Sequence, residues 1–235
     1  MSKNKRLIIS LIVNFIIFAM VVIASIMSIA SLWPNASRTL DGNGFENIKY
    51  YTWQSNLFAG FTCLLYFVFG LLLISKKINK IPFTIYLLKF VGLVALMVTF
   101  LTVALIFEPI LIFNKSSYHM YSNSNMFFHL IVPVINLLSF IFLEEQPKYK
   151  FRFSLLTTSS TLIYGLYYLI NVLVHLNSDL TVDRKYDWYG YASNGIAFYP
   201  VSFIVTYGIA IGSALLCNFL SQLVQKKLYI DLKDE

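Results

Sequence analysis

The sequence predicts an all-α, polytopic membrane protein: a six-transmembrane-helix bundle forming a single integral membrane domain over residues 1–235. Three observations predict it. Hydrophobic residues make up 58% of the chain and charged residues 12%, where a soluble domain carries about a quarter charged. The apolar residues come in blocks, each long enough to cross about 30 Å of hydrocarbon at about 1.5 Å per residue. No polar stretch between the blocks is long enough to enclose a core of its own.

The blocks fall at about 7–32, 51–74, 83–107, 126–143, 153–174 and 196–224. The first follows Lys3, Lys5 and Arg6 and ends near a small-residue pattern at Ser28-Ile29-Ala30. It exceeds the roughly 7–15 residues of a secretory signal core, so it reads as a retained span. The second opens on polar residues, "YTWQSN" from Tyr51 to Asn56, which are drawn into the start of the helix. The third carries Lys89 close enough to one end to snorkel to the surface. The fourth is short and recruits the polar residues before it. The fifth and sixth alternate apolar residues with Tyr, Asn, Ser and Thr.

Charge placement sets the expected orientation. Lys3, Lys5, Arg6, Lys76, Lys77, Lys80, Lys148, Lys150, Arg152, Lys226, Lys227 and Lys233 fall on one side of the alternating spans. Arg38, Lys49, Lys115, Arg184 and Lys185 fall on the other. By the positive-inside rule, both termini are expected to be cytoplasmic in a cell-membrane protein, with Trp33, Trp53 and Trp188 at outer boundaries. The net charge of +7 is scattered along membrane edges and forms no nucleic-acid footprint. Membrane lipids are the expected surroundings. Cys63 and Cys217 lie inside apolar segments, which argues against a disulfide framework or a Cys-rich metal site; no metal or cofactor is expected. Asn-X-Ser sequons occur at Asn35 and Asn114, and His119 falls in a loop.

Read as helices, the spans gather their polar residues on single faces. The second aligns Thr52, Ser55, Asn56 and Cys63; the fourth Asn125, His129, Asn136 and Ser139. The fifth aligns Ser160, Tyr164, Tyr168, Asn171 and His175; the sixth Tyr199, Ser202, Thr206 and Ser213. Lys89, Gly92, Thr99 and Thr102 share a stripe on the third. Polar groups are costly against lipid, so these faces are expected to turn inward. Hydroxyl-bearing residues are ordinary glue between membrane helices. An ionisable side chain within a span is more pointed, and His129 stands out. Thr52 and His129 open the second and fourth spans at similar depth on the same side, where a hydroxyl and an imidazole can form a nucleophile and base.

"KYYTWQSN" together with "NMFFHLIVP" resembles the androgen-induced family of multi-pass membrane hydrolases and the bacterial six-helix proteins grouped near it. The resemblance implies an intramembrane hydrolase of fatty acid esters of hydroxy fatty acids. Thr52, after Lys49, Tyr50 and Tyr51, takes the place of its threonine, and His129, followed by Pro133, that of its histidine. Gln54, Ser55 and Asn56 would line the mouth, with Asn56 a candidate oxyanion donor, and Asn136, Tyr168 and His175 would complete a substrate pocket. The acid that relatives carry further along the histidine helix is missing: Ser139 and Phe140 stand there, and Glu144 and Glu145 come only at the end. The alternative is a non-catalytic small-molecule or lipid-binding or transport protein; the lack of an internal repeat and the few helix interruptions count against transport. The loop 177–195, with "DRKYDWYGY", reads as an interfacial lid or belt.

Overall fold

A computed structural model describes residues 3–33, 44–115, 120–192, 196 and 199–230, without the side chains of 3 and 227–230. Arg38, Asn35, His119, Lys227 and Lys233 therefore lie outside the described side chains, as do residues 193–195 of the lid loop. Among the described residues, six helices are long and apolar enough to cross a membrane, as expected of a multi-pass membrane protein. We label them α1 (Lys3–Ile29), α2 (Tyr51–Ile74), α3 (Phe83–Phe113), α4 (Asn123–Leu143), α5 (Phe151–Val174) and α6 (Tyr199–Ile230). Among the described residues there is no strand beyond an isolated bridge between Leu176 and Val182.

The bundle is built around α3, whose apolar stretch is 67% buried while that of α6 is 22% buried. Large apolar side chains such as Ile12, Phe15, Ile163, Ile204 and Phe219 cover the outside, the reverse of a soluble protein and the form lipid contact requires. Inside, small residues let helices approach closely. A Cβ added at Gly92 would lie 2.7 Å from Thr62 Oγ1 and 3.1 Å from the Ala59 backbone, so α2 and α3 meet almost backbone to backbone.

Helix ends differ from the sequence reading for local reasons. α3 continues past residue 107 through Glu108 and Pro109 to Phe113, because Pro109 falls in the first turn of a new α-helical segment where its missing N–H costs little. Glu108 Oε2 then accepts the backbone N–H of Met120 at 2.9 Å and closes the loop. α4 begins at Asn123, and α6 at Tyr199 rather than 196.

Among the described residues, π-helical turns interrupt the spans at Val103–Phe107, Phe127–Ile131 and Ser139–Leu143. Two precede a proline, Pro109 and Pro133, whose ring cannot supply the i→i−4 hydrogen bond and crowds the carbonyl one turn back.

Lys89 does not snorkel. Its side chain is fully buried, donates to Asn136 Oδ1 and pairs with Glu144 Oε1 at 3.2 Å, with Glu144 also fully buried. Glu144 folds back after the last π turn in an extended conformation. Ser139 Oγ and Asn14 Nδ2 donate to its Oε1 at 2.8 and 2.9 Å, and Gln146 Nε2 donates to Oε2 at 3.0 Å. A charge desolvated this deeply persists only with a partner and further hydrogen bonds, and both are present.

Candidate functional site

At the end of the bundle away from the two termini, helices α2 to α6 enclose a cavity of about 250 Å³. Thr52 and His129 both stand on its wall, with Asn125, Thr99, Thr102, Thr161, Tyr164, Tyr168, Tyr199 and Thr206. The sequence-derived stripes thus converge at this end. Deeper down they part: Asn136 and Ser139 belong to the Lys89–Glu144 network and not to the cavity.

Asn56 joins the elements that carry the two candidate residues. In the π turn at Phe127–Ile131 the Val132 N–H bonds to the Phe127 carbonyl, leaving the Phe128 carbonyl to the next N–H in that register. That residue is Pro133, which has none. The orphaned carbonyl accepts instead from Asn56 Nδ2 at 3.1 Å. The same Nδ2 donates to the Thr52 carbonyl one turn back at 2.8 Å. Asn56 therefore bridges the turn bearing Thr52 and the residue before His129. Its amide protons go to backbone carbonyls, so it is no oxyanion donor. Asn56→Leu should loosen α2 against α4 and leave a buried carbonyl unpaired, at about 1–3 kcal/mol. Thermal unfolding in detergent checks this, a melting temperature equal to wild type counting against the bridge.

Both nitrogens of the buried His129 ring lack a hydrogen-bond partner, and Thr52 is therefore not hydrogen-bonded to it. Thr102 Oγ1, also on the wall, is likewise unpartnered. Buried polar groups are normally satisfied, so such atoms mark places where a ligand or water completes the structure.

Of the remaining sequence candidates, Gln54, Ser55 and His175 lie elsewhere. Gln54 Nε2 donates to the Ile48 carbonyl at 2.9 Å, and Ser55 Oγ to the Thr52 carbonyl at 3.0 Å; neither is on the wall. His175 ends α5 with Nδ1 2.8 Å from the Asn171 carbonyl and its ring stacked on Tyr186, also off the wall. Tyr168 is on the wall, and its hydroxyl donates to Asp187 Oδ1.

Asp187 explains how the loop after α5 reaches inward. Its buried carboxylate also accepts the backbone N–H groups of Tyr191 at 2.9 Å and Ala192 at 3.0 Å. This fold tucks Trp188, Tyr189 and Tyr191 into the cavity wall. The Tyr189 hydroxyl accepts the Tyr51 N–H at 2.7 Å, and Trp188 Nε1 donates to Tyr164 OH at 3.1 Å. Burial raises the pKa of Tyr189 and Tyr191, so both stay protonated at neutral pH. The described part of the loop packs as a cap on the bundle. Among the described residues, no group of three or more His, Cys, Asp or Glu could hold a metal ion.

Fold and cavity together define a multi-pass, all-α membrane protein with an aromatic-capped pocket. No family model matches the chain, nor does any curated protein or solved structure.

Proposed function

We propose that the chain is an intramembrane threonine hydrolase of fatty acyl esters, with Thr52 as nucleophile and His129 as base. The observation carrying this reading is the His129 imidazole, buried on the wall shared with Thr52 and holding two nitrogens without partners. Hydrogen bonds of a catalytic pair often close only when substrate arrives. The resemblance of the Thr52 and His129 motifs to the androgen-induced hydrolases points the same way.

On this reading His129 takes the proton as Thr52 Oγ1 bonds to the ester carbon, and passes it to the alkoxide as the ester C–O bond breaks. Water then attacks the acyl-threonine, giving its proton to His129, and the fatty acid leaves as the Thr52 hydroxyl regains that proton. The Thr102 hydroxyl is a candidate donor to the transient oxyanion. A volume of about 250 Å³ suits the ester and the nearest acyl carbons, with the remaining hydrocarbon lying among the apolar outer faces.

A fluorophosphonate probe tests the chemistry directly: wild type should label at Thr52, and Thr52→Ala and His129→Ala should not. A second reading, non-catalytic lipid binding, draws on the lack of a Thr52–His129 hydrogen bond. Labelling that persists in Thr52→Ala, or is absent in wild type, would favour it.

The cavity is proposed to face outward and both termini the cytoplasm of a cell-membrane protein, from the Lys and Arg asymmetry. A cysteine replacing the exposed Glu46 should react with an impermeant maleimide on intact cells. Reaction only after permeabilisation would reverse the orientation.

A further inference from the structure

A second cavity, of about 640 Å³, lies at the opposite end of the bundle, between the start of α1 and the turn joining α2 to α3. Its charged wall is Arg6, Lys76 and Lys80 against Glu145. Lys76 and Lys80 are exposed, but Arg6 is only 6% exposed, and no hydrogen bond or ion pair engages it among the described residues. A largely buried guanidinium that lines a cavity gains charge-assisted hydrogen bonds when an anion binds there beside it. Glu145 is on the same wall but leaves it with a net positive charge.

The wall also runs into the lipid-facing surface. Ile8 and Ile74 belong to it and remain 47% and 46% exposed on the apolar outside of α1 and α2. A free anion would use the cations and waste this apolar edge. A lipid would use both.

We propose that this cavity binds the phosphate of an anionic phospholipid, the planar fork of Arg6 gripping two phosphate oxygens and Lys76 and Lys80 adding charge. The acyl chains descend along Ile8 and Ile74. The site lies at the opposite end from Thr52 and His129, and nothing in it depends on whether that pair is catalytic.

The test uses the full-length protein purified in detergent and exchanged into mixed micelles of phosphatidylglycerol and phosphatidylcholine. Native mass spectrometry should show phosphatidylglycerol retained at least about fivefold over phosphatidylcholine, the size of effect expected when a bidentate charge-assisted contact is present in one and weakened in the other. Arg6→Gln should bring the ratio close to one, and Arg6→Lys should fall between, since it keeps the charge and loses the fork. The double variant Lys76→Gln/Lys80→Gln changes only exposed side chains and should lower the ratio even if Arg6→Gln does not fold. Equal retention of the two lipids by wild type, or an unchanged ratio in the Lys76/Lys80 variant or in a folded Arg6→Gln variant, would overturn the proposal. Inorganic phosphate provides the remaining arm. If it displaces phosphatidylglycerol and raises the melting temperature as much as the lipid does, the ligand is a free anion and the lipid assignment fails.

Discussion

Thr52→Ala and His129→Ala are each expected to lower turnover of a fatty acyl ester by at least about 10²–10⁴-fold, the contribution of a positioned acid–base group. The double variant should be no worse than the poorer single one, because a nucleophile without its base and a base without its nucleophile lose the same step. Thr52→Ser keeps the hydroxyl and should retain part of the activity. His175→Ala should change little, because that ring stacks on Tyr186 away from the cavity. The measurement is release of fatty acid from a panel of lipid esters by protein in nanodiscs. Equal release by wild type and both alanine variants would remove the Thr52–His129 mechanism.

Lys89→Met is expected to be the most damaging single change to stability, at about 3–5 kcal/mol, because it strands the buried Glu144 carboxylate without its cation. Glu144→Leu should cost a similar amount by stranding Lys89. The double variant should recover much of the loss, since two apolar side chains leave no unpaired charge behind. Asn136 and Asn14 would then lose charged partners, which keeps the recovery incomplete. Equilibrium unfolding in mixed micelles gives the coupling through a double-mutant cycle. Single variants within about 0.5 kcal/mol of wild type would mean that water or another partner meets the charge.

The six spans were legible in the sequence because length and apolarity alone specify a helix in lipid. The inward turn of the polar stripes was legible for the same reason, and Asn125, His129, Asn136 and Ser139 are all buried. What periodicity could not give was pairing across helices. Lys89 sits close to a span end, so its sequence position suggested the surface, and its partner follows a π turn that moves Glu144 off the regular helical register. Pro133 was visible after His129, but its effect on the Phe128 carbonyl, and hence the work of Asn56, depends on that same change of register. Gln54 and Ser55 looked like pocket residues because they are polar beside Thr52, yet both spend their hydrogen bonds on nearby backbone. Nor did the loop's aromatic composition show that it packs onto the bundle. That packing rests on one acid, Asp187, whose meaning depends on Tyr168 being opposite it.

The Lys89–Glu144 pair also bears on how the chain is made. Synthesis delivers α3 to the membrane before Asn136, 47 residues downstream, and before Glu144 beyond it. At that moment Lys89 has neither partner, and a lysine within a helix opposes insertion. Its place near one end lets the ammonium reach headgroups and water until α4 arrives. In the finished bundle that ammonium is instead buried against Glu144 and Asn136. α3, the most buried of the six spans, thus takes the partners of its buried lysine from a segment made later.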